Sequence, residues 1–206
     1  KNEKESLLNS QLVESQNLVS LRKEKDVILQ DLKGREGEIQ KELKEREKAV
    51  AKLEKLIEDL LKAEIAKKTK KGDSKMTLTP EAKVISASFS GNQGRLIWPV
   101  EYGFISHKFG KNPHPDIPGV VVDNLGVDFQ TQKGSLVRSV FDGVVTAVAV
   151  VPGMQNVIMI QHGEYFTVYT KVENVKVKMG DKVSRKDILG TVHTKSNGVS
   201  EIQFQV

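Results

Sequence analysis

Histidine is the commonest neutral zinc ligand, and this chain carries four: His107, His114, His162 and His193. A hydrolytic zinc centre is therefore the first chemistry to test. Such a centre needs three protein ligands and an open position for water. The spacing supplies none: there is no H-E-x-x-H, no H-x-H and no pair of histidines four apart on a helix. His107 and His114 lie in a Pro- and Gly-rich run, HKFGKNPHPDIPG, whereas His162 sits in a turn and His193 ends a strand. Each reads as an ordinary surface or turn histidine. The chain also lacks a G-x-S-x-G elbow, which leaves a serine nucleophile unsupported. With no cysteine there is no thiolate nucleophile, thiolate metal ligand or disulfide. Lys133-Gly134-Ser135 lacks the rest of a phosphate-binding G-x-x-x-x-G-K-[ST] loop.

The elements that would have to position such residues fall into two physically different parts. The 206 residues carry a net charge of +5, and no run approaches the roughly 18–20 apolar residues of a membrane span. Residues 1–75 are densely charged in both signs and contain no aromatic side chain, so they cannot build an ordinary core. All the Phe, Tyr and Trp lie beyond. Because the basic excess is spread over both parts, no concentrated nucleic-acid surface is expected.

Residues 1–66 carry a seven-residue repeat. With Leu18 at position a, the a sites are Leu18, Lys25, Leu32, Ile39, Arg46, Leu53 and Leu60; the d sites are Leu21, Ile28, Arg35, Glu42, Ala49, Leu56 and Ala63. This is a coiled-coil seam with a weak middle. Gly34 and Gly37 could mark a hairpin, but the apolar phase is unchanged across them, which predicts one continuous helix. A partner helix, preceding Lys1 or from another copy, is favoured over a bare solvated spacer. Residues 67–79 (including KKTKKGDSK) lose the period and read as a linker. Thr79-Pro80-Glu81 is a helix start, with Thr as N-cap and Pro at the first position. That helix runs to about Phe89, within a segment 80–94 that forms a short helix and arm.

From Arg95 the pattern is β. Apolar or alternating runs recur at Leu136–Phe141, Val144–Val151, Val157–Gln161, Phe166–Lys171, Val175–Val177, Ile188–His193 and Glu201–Val206. Asp142-Gly143, His162-Gly163, Met179-Gly180-Asp181 and Asn197-Gly198 separate them as turns.

Residues 95–206 resemble the LytM, or lysostaphin-type, peptidase domain through RLIWPVEYGFISHKFGKNPHP, NLGVDF, GSLVRSVFDGVVTAV, VIMIQHG, YTKV, VKVKMGDKVSRKDILGTV and EIQFQV. The expected fold is α+β: a long N-terminal coiled-coil helix followed by a mainly antiparallel LytM-type β domain. A coiled coil ahead of this domain is similar to EnvC-type murein hydrolase activators.

What the resemblance implies must be carried over by position. Active members hold zinc through an H-x-G-x-D segment and the second histidine of H-x-H, assisted by the first histidine of H-x-H and one in Tyr-x-His. Here those segments read Asn124-Leu125-Gly126-Val127-Asp128, Glu201-Ile202-Gln203 and Tyr169-Thr170-Lys171, so only Asp128 survives. One carboxylate and two amides are a poor zinc set. The implied state is a pseudoenzyme with no catalytic residue, no metal ligand and no cofactor. Asn124, Asp128, Lys171, Glu201 and Gln203 then line a groove that binds a partner, with a Glu201–Lys171 ion pair across it.

The implied partner is a peptidoglycan amidase, with a cell-division ABC transporter complex (FtsEX-like) engaging the coiled coil, in the periplasm of the cell envelope. Val84, Ile85 and Phe89 could form a helix face that blocks the groove, or could brace the domain. Two rivals are a zinc metallopeptidase using His107, His114 or His193 as replacement ligands, and a periplasmic adaptor of a transport assembly. VKMGDKVSRKDILG is similar to a hairpin of such adaptors' lipoyl-like domains. Against the adaptor, the helix here precedes an unbroken β domain.

Overall fold

The structure is a computed structural model. It describes residues 2–68, 78–113 and 121–206, with α1 side chains from Glu14 to Ala66 apart from Glu64. Most of the expected linker, and His114, lie outside the described residues. Helix α1 (Asn2–Lys68) is continuous through Gly34 and Gly37, as the unbroken apolar phase requires. Helix α2 (Pro80–Gly91) starts as read: the Thr79 side chain accepts from the Ala82 N–H, and Pro80 needs no amide partner. Among the described residues, no helix is long and apolar enough to cross a membrane.

Two compact units divide the chain, Lys1–Lys48 and Ala49–Val206. In the first, the apolar side chains of Leu18, Leu21, Ile28 and Leu32 are exposed, and an Asp31–Arg35 pair at 3.3 Å lies in solvent, where it adds little stability.

The second unit is built on strands β1 (Phe104–His107), β2 (Gly110–Pro113), β3 (Val121–Asn124), β4 (Val127–Thr131), β5 (Leu136–Arg138), β6 (Gly143–Val151), β7 (Gln155–His162), β8 (Tyr165–Glu173), β9 (Lys182–Val183), β10 (Ile188–Val192) and β11 (Ser200–Gln205). Every described pairing is antiparallel. The main sheet runs β1-β4-β11-β8-β7-β6-β9, with β10 joining β8 to β5, and β2 and β3 form a separate ribbon. One face carries the main core: Val100, Phe129, Val137, Val140, Tyr169, Leu189 and Ile202, among others. Tyr169 is fully buried, and its hydroxyl accepts from the Val140 N–H at 3.0 Å, so the polar atom it brings into this core is satisfied.

Val175–Val177 departs from expectation. Asn174 takes φ +45°, the ladder stops, and only Lys176 donates to the Leu189 carbonyl. Val175 and Val177 pack on the core from an unpaired segment, so their apolar alternation reports burial and not strand pairing.

A second apolar cluster joins helix to sheet. Ala49 and Leu53 are buried with Ala147, Val151, Met154, Val157, Met159 and Val168, and Leu56, Ile57 and Leu60 pack beside them. At these heptad positions the seam meets the sheet instead of another helix. Leu53 is wholly enclosed, whereas Leu21 on the same stripe is 61% exposed. Leu53→Ala should therefore lower unfolding free energy by about 2–5 kcal/mol. Leu21→Ala should change it by no more than about 0.5 kcal/mol, both read from urea denaturation.

Candidate functional site

Sheet register assembles the polar cluster. His107 pairs with Asp128, Asp128 with Gln203, and Gln203 with Thr170, which makes one row across β1, β4, β11 and β8. Phe104, Gln130 and Glu201 form the neighbouring row. Directly paired residues share a face, so both rows point away from the core that Phe129, Ile202 and Tyr169 enter. Gly126 permits the close approach: a Cβ there would stand 2.4 Å from the Phe204 carbonyl oxygen of β11.

Lys171 reaches this face by a break in alternation. Tyr169 points into the core and Thr170 lies across from Gln203, so a regular strand would send Lys171 coreward. The pairing of β7 and β8 slips between Asn156 and Ile158, and Lys171 takes φ +63°. This bulge re-aims its side chain. A non-glycine residue in the left-handed region costs on the order of 1 kcal/mol, which the ion pairs must offset.

The Lys171 ammonium is paired with Glu201 and lies 3.4 Å from Asp128 Oδ1. Lys195 approaches Glu201 at 3.6 Å. Asp128 and Glu201 are buried to 0% and 5% exposure, which for carboxylates demands compensation. Burial opposes ionisation of Glu201, but Lys171, through charge and hydrogen bond, then Lys195 and His107, hold its carboxyl below the usual glutamate value. Ser106 Oγ donates to Glu201 Oε2 at 3.4 Å.

His107 Nδ1 stands 3.4 Å from Asp128 Oδ2 and 3.9 Å from Glu201 Oε2, buried and without a well-aligned hydrogen bond. The three ligand-type atoms lie within 4.8 Å of one another. This corrects the reading of His107 as an ordinary surface or turn histidine: it ends β1 opposite Asp128. The other described histidines are elsewhere. His193 Nδ1 meets Glu173 Oε1 at 2.7 Å. His162 is fully buried, and burial lowers its pKa against the opposing pull of Asp142, which keeps the ring neutral. Its Nδ1–H then donates to the Asp142 carbonyl at 2.6 Å, and Nε2 accepts from Thr167 at 2.8 Å.

All five expected groove residues come together. Gln203 Nε2 donates to Asn124 Oδ1 at 2.5 Å, and Asn124 Nδ2 donates to Asp128 Oδ2 at 3.2 Å. The expected Glu201–Lys171 pair is formed. The α2 residues go to a different place. Phe89 stacks on His162 and Tyr165 at 4.8 and 5.2 Å and meets Phe141 edge-on at 5.4 Å. Gly163 lets the helix this close, since a Cβ there would fall 2.4 Å from Ser86 Cβ. Ile85 is half-buried and Val84 exposed. Tyr165 and Lys171 are six positions apart on β8, about 20 Å of strand, so Phe89 is anchored well away from the cluster.

Residues 123–206 match the model of Peptidase family M23. An uncharacterized metalloprotease of Buchnera aphidicola subsp. Baizongia pistaciae is 34% identical over 87 residues, 42% of this chain and 23% of the relative. The chain thus spans under a quarter of that relative's length. Among solved structures, Helicobacter pylori Csd3 is 32% identical, covering 53% of this chain and 30% of its own, with a TM-score of 0.45. A zinc containing peptidase from Vibrio cholerae is 30% identical over 53% of this chain and 36% of its own, with a TM-score of 0.44.

At the three positions where the resemblance implies zinc ligands stand Asn124, Asp128 and Gln203. The three form a hydrogen-bonded chain, Gln203 Nε2 to Asn124 Oδ1 and Asn124 Nδ2 to Asp128 Oδ2, which engages both amides. Two of the three are amides, weak donors for a borderline-soft dication.

Because the Glu201 pKa is lowered, its contribution to stability is complete above its unfolded value of about 4.5 and is lost as pH falls through the lower folded value. Glu201→Gln should therefore flatten the acid limb of a stability–pH profile below about pH 4.5. At neutral pH it should cost about 2 kcal/mol or more, by leaving Lys171 with Asp128 alone.

Proposed function

We propose that this chain is a non-enzymatic activator of peptidoglycan (murein) amidases in bacterial cell separation, working in the periplasm at the cell envelope. The observation that carries the reading is the mutual hydrogen bonding of Asn124, Asp128 and Gln203, with a lysine where an assisting histidine is expected. Without a metal-activated water, a peptide bond on this face meets no nucleophile. What remains is a shaped polar face on a rigid sheet, flanked by exposed Phe104, which suits recognition. An activator needs only to bind the competent state of its amidase better than the inhibited one. The exposed stripe from Leu18 to Leu32 is then the surface offered to a cell-division ABC transporter complex.

The test is release of soluble fragments from purified peptidoglycan. The protein alone, with or without added zinc, should release nothing, and should raise release several-fold when a cognate amidase is present. Zinc-dependent release by the protein alone, or failure to stimulate any amidase of the same organism, overturns the proposal.

A second reading has one observation in its favour: the convergence of His107, Asp128 and Glu201 is the kind of set a metallopeptidase with replacement ligands would use. Release that requires both zinc and His107 would establish it.

In this proposal α2 is a brace, since Phe89 is buried in an aromatic nest with Phe141, His162 and Tyr165. Phe89→Ala should lower stability by about 3–5 kcal/mol in denaturation. It should not raise amidase stimulation, as removal of a blocking helix would.

A further inference from the structure

We infer that the Lys171 ammonium is the resident cation of this site, standing where chemistry would otherwise call for a metal ion. His107, Asp128 and Glu201 then form a latent divalent-metal site that this ammonium keeps closed. The inference stands apart from the amidase reading, because metal binding is measured without any amidase.

The donor geometry comes first. A tetrahedral ion with nitrogen and oxygen ligands at about 2.0–2.2 Å separates them by roughly 3.3–3.6 Å. His107 Nδ1 lies 3.4 Å from Asp128 Oδ2 and 3.9 Å from Glu201 Oε2, near that spacing. The Nδ1 atom is buried and lacks a hydrogen-bond partner, so a donor atom is already aimed into the gap. One imidazole and two carboxylates make a set that zinc accepts. Only Asp128 is shared with the ligand positions that the resemblance implies; its Oδ2 also accepts from Asn124 Nδ2 at 3.2 Å, while His107 and Glu201 stand outside those positions.

Charge keeps it closed. Lys171 and Lys195 together cancel the two carboxylates, which leaves no negative charge to pay a dication's dehydration. Lys171 takes the oxygen of each carboxylate that faces away from His107, Asp128 Oδ1 and Glu201 Oε1, and fixes both groups in place. The left-handed turn at Lys171 serves to deliver that ammonium. Removing the charge while keeping the stem leaves the cluster one charge short, with two buried carboxylates and an aimed imidazole. A divalent ion is the ligand that satisfies all three.

The experiment uses the full chain, stripped of metal, as wild type, Lys171→Met, and Lys171→Met with His107→Ala. Each is titrated with Zn²⁺ by calorimetry, and with Co²⁺ by the visible absorption of a tetrahedral ion. Wild type should show no His107-dependent binding. Lys171→Met should bind one ion at least tenfold more tightly than wild type, and His107→Ala should abolish the gain. His107-dependent binding by wild type overturns the inference, and so does a folded Lys171→Met protein that gains none. Should Lys171→Met be unfolded without metal, Zn²⁺ should restore its wild-type circular dichroism and cooperative melting. Failure to restore them equally overturns the inference.

Discussion

Two carboxylates buried side by side cannot both stay ionised without a cation, and that constraint organises the M23-type face of this protein. Asp128 and Glu201 arrive from β4 and β11, strands whose pairing the core fixes through Phe129 and Ile202. The sheet thus commits both acids to one face before any compensation exists. Lys171 supplies it from β8, and the strand gives up its regular alternation there to do so. Asn124 and Gln203 close the remaining hydrogen bonds. A site built this way is held by its own charges and hydrogen bonds.

Much of this was legible in the sequence. The α1 phase, the Thr79-Pro80 start and most strands from Leu136 onward follow from periodicity and turn residues. Position-by-position resemblance places Asn124, Asp128, Lys171, Glu201 and Gln203 at one site. His107 was not legible. The alternation of Phe104-Ile105-Ser106-His107 is a strand signal, but only four residues long and followed by a Pro- and Gly-rich run that reads as loop. Its neighbour in space is fixed by β1–β4 pairing across some twenty residues of chain, which local pattern does not encode. Lys171 carried a signal that could have been used: a charged residue at a position that strand alternation assigns to the core marks a bulge.

The heptad seam teaches a related point. A stripe at positions a and d states that one side of a helix is apolar; it does not state what covers it. From Ala49 to Leu60 the cover is a β sheet, with Met154 and Met159 filling the uneven gap between a helix and a pleated surface. From Leu18 to Leu32 the same stripe is exposed. One periodic sequence thus serves as core in one segment and as surface in the other.

The anchoring of Phe89 and Leu53 bears on where this module begins. The match to the family model starts at residue 123, yet the apolar surfaces of β6, β7 and β8 are finished by side chains contributed far upstream. A fragment trimmed to the shared sequence would present two open greasy patches, one where Leu53 sat and one where Phe89 stacked. The stretch that matches the family model and the stretch that packs together are therefore different lengths of chain here. The upstream helices belong to the second even though they lie outside the first.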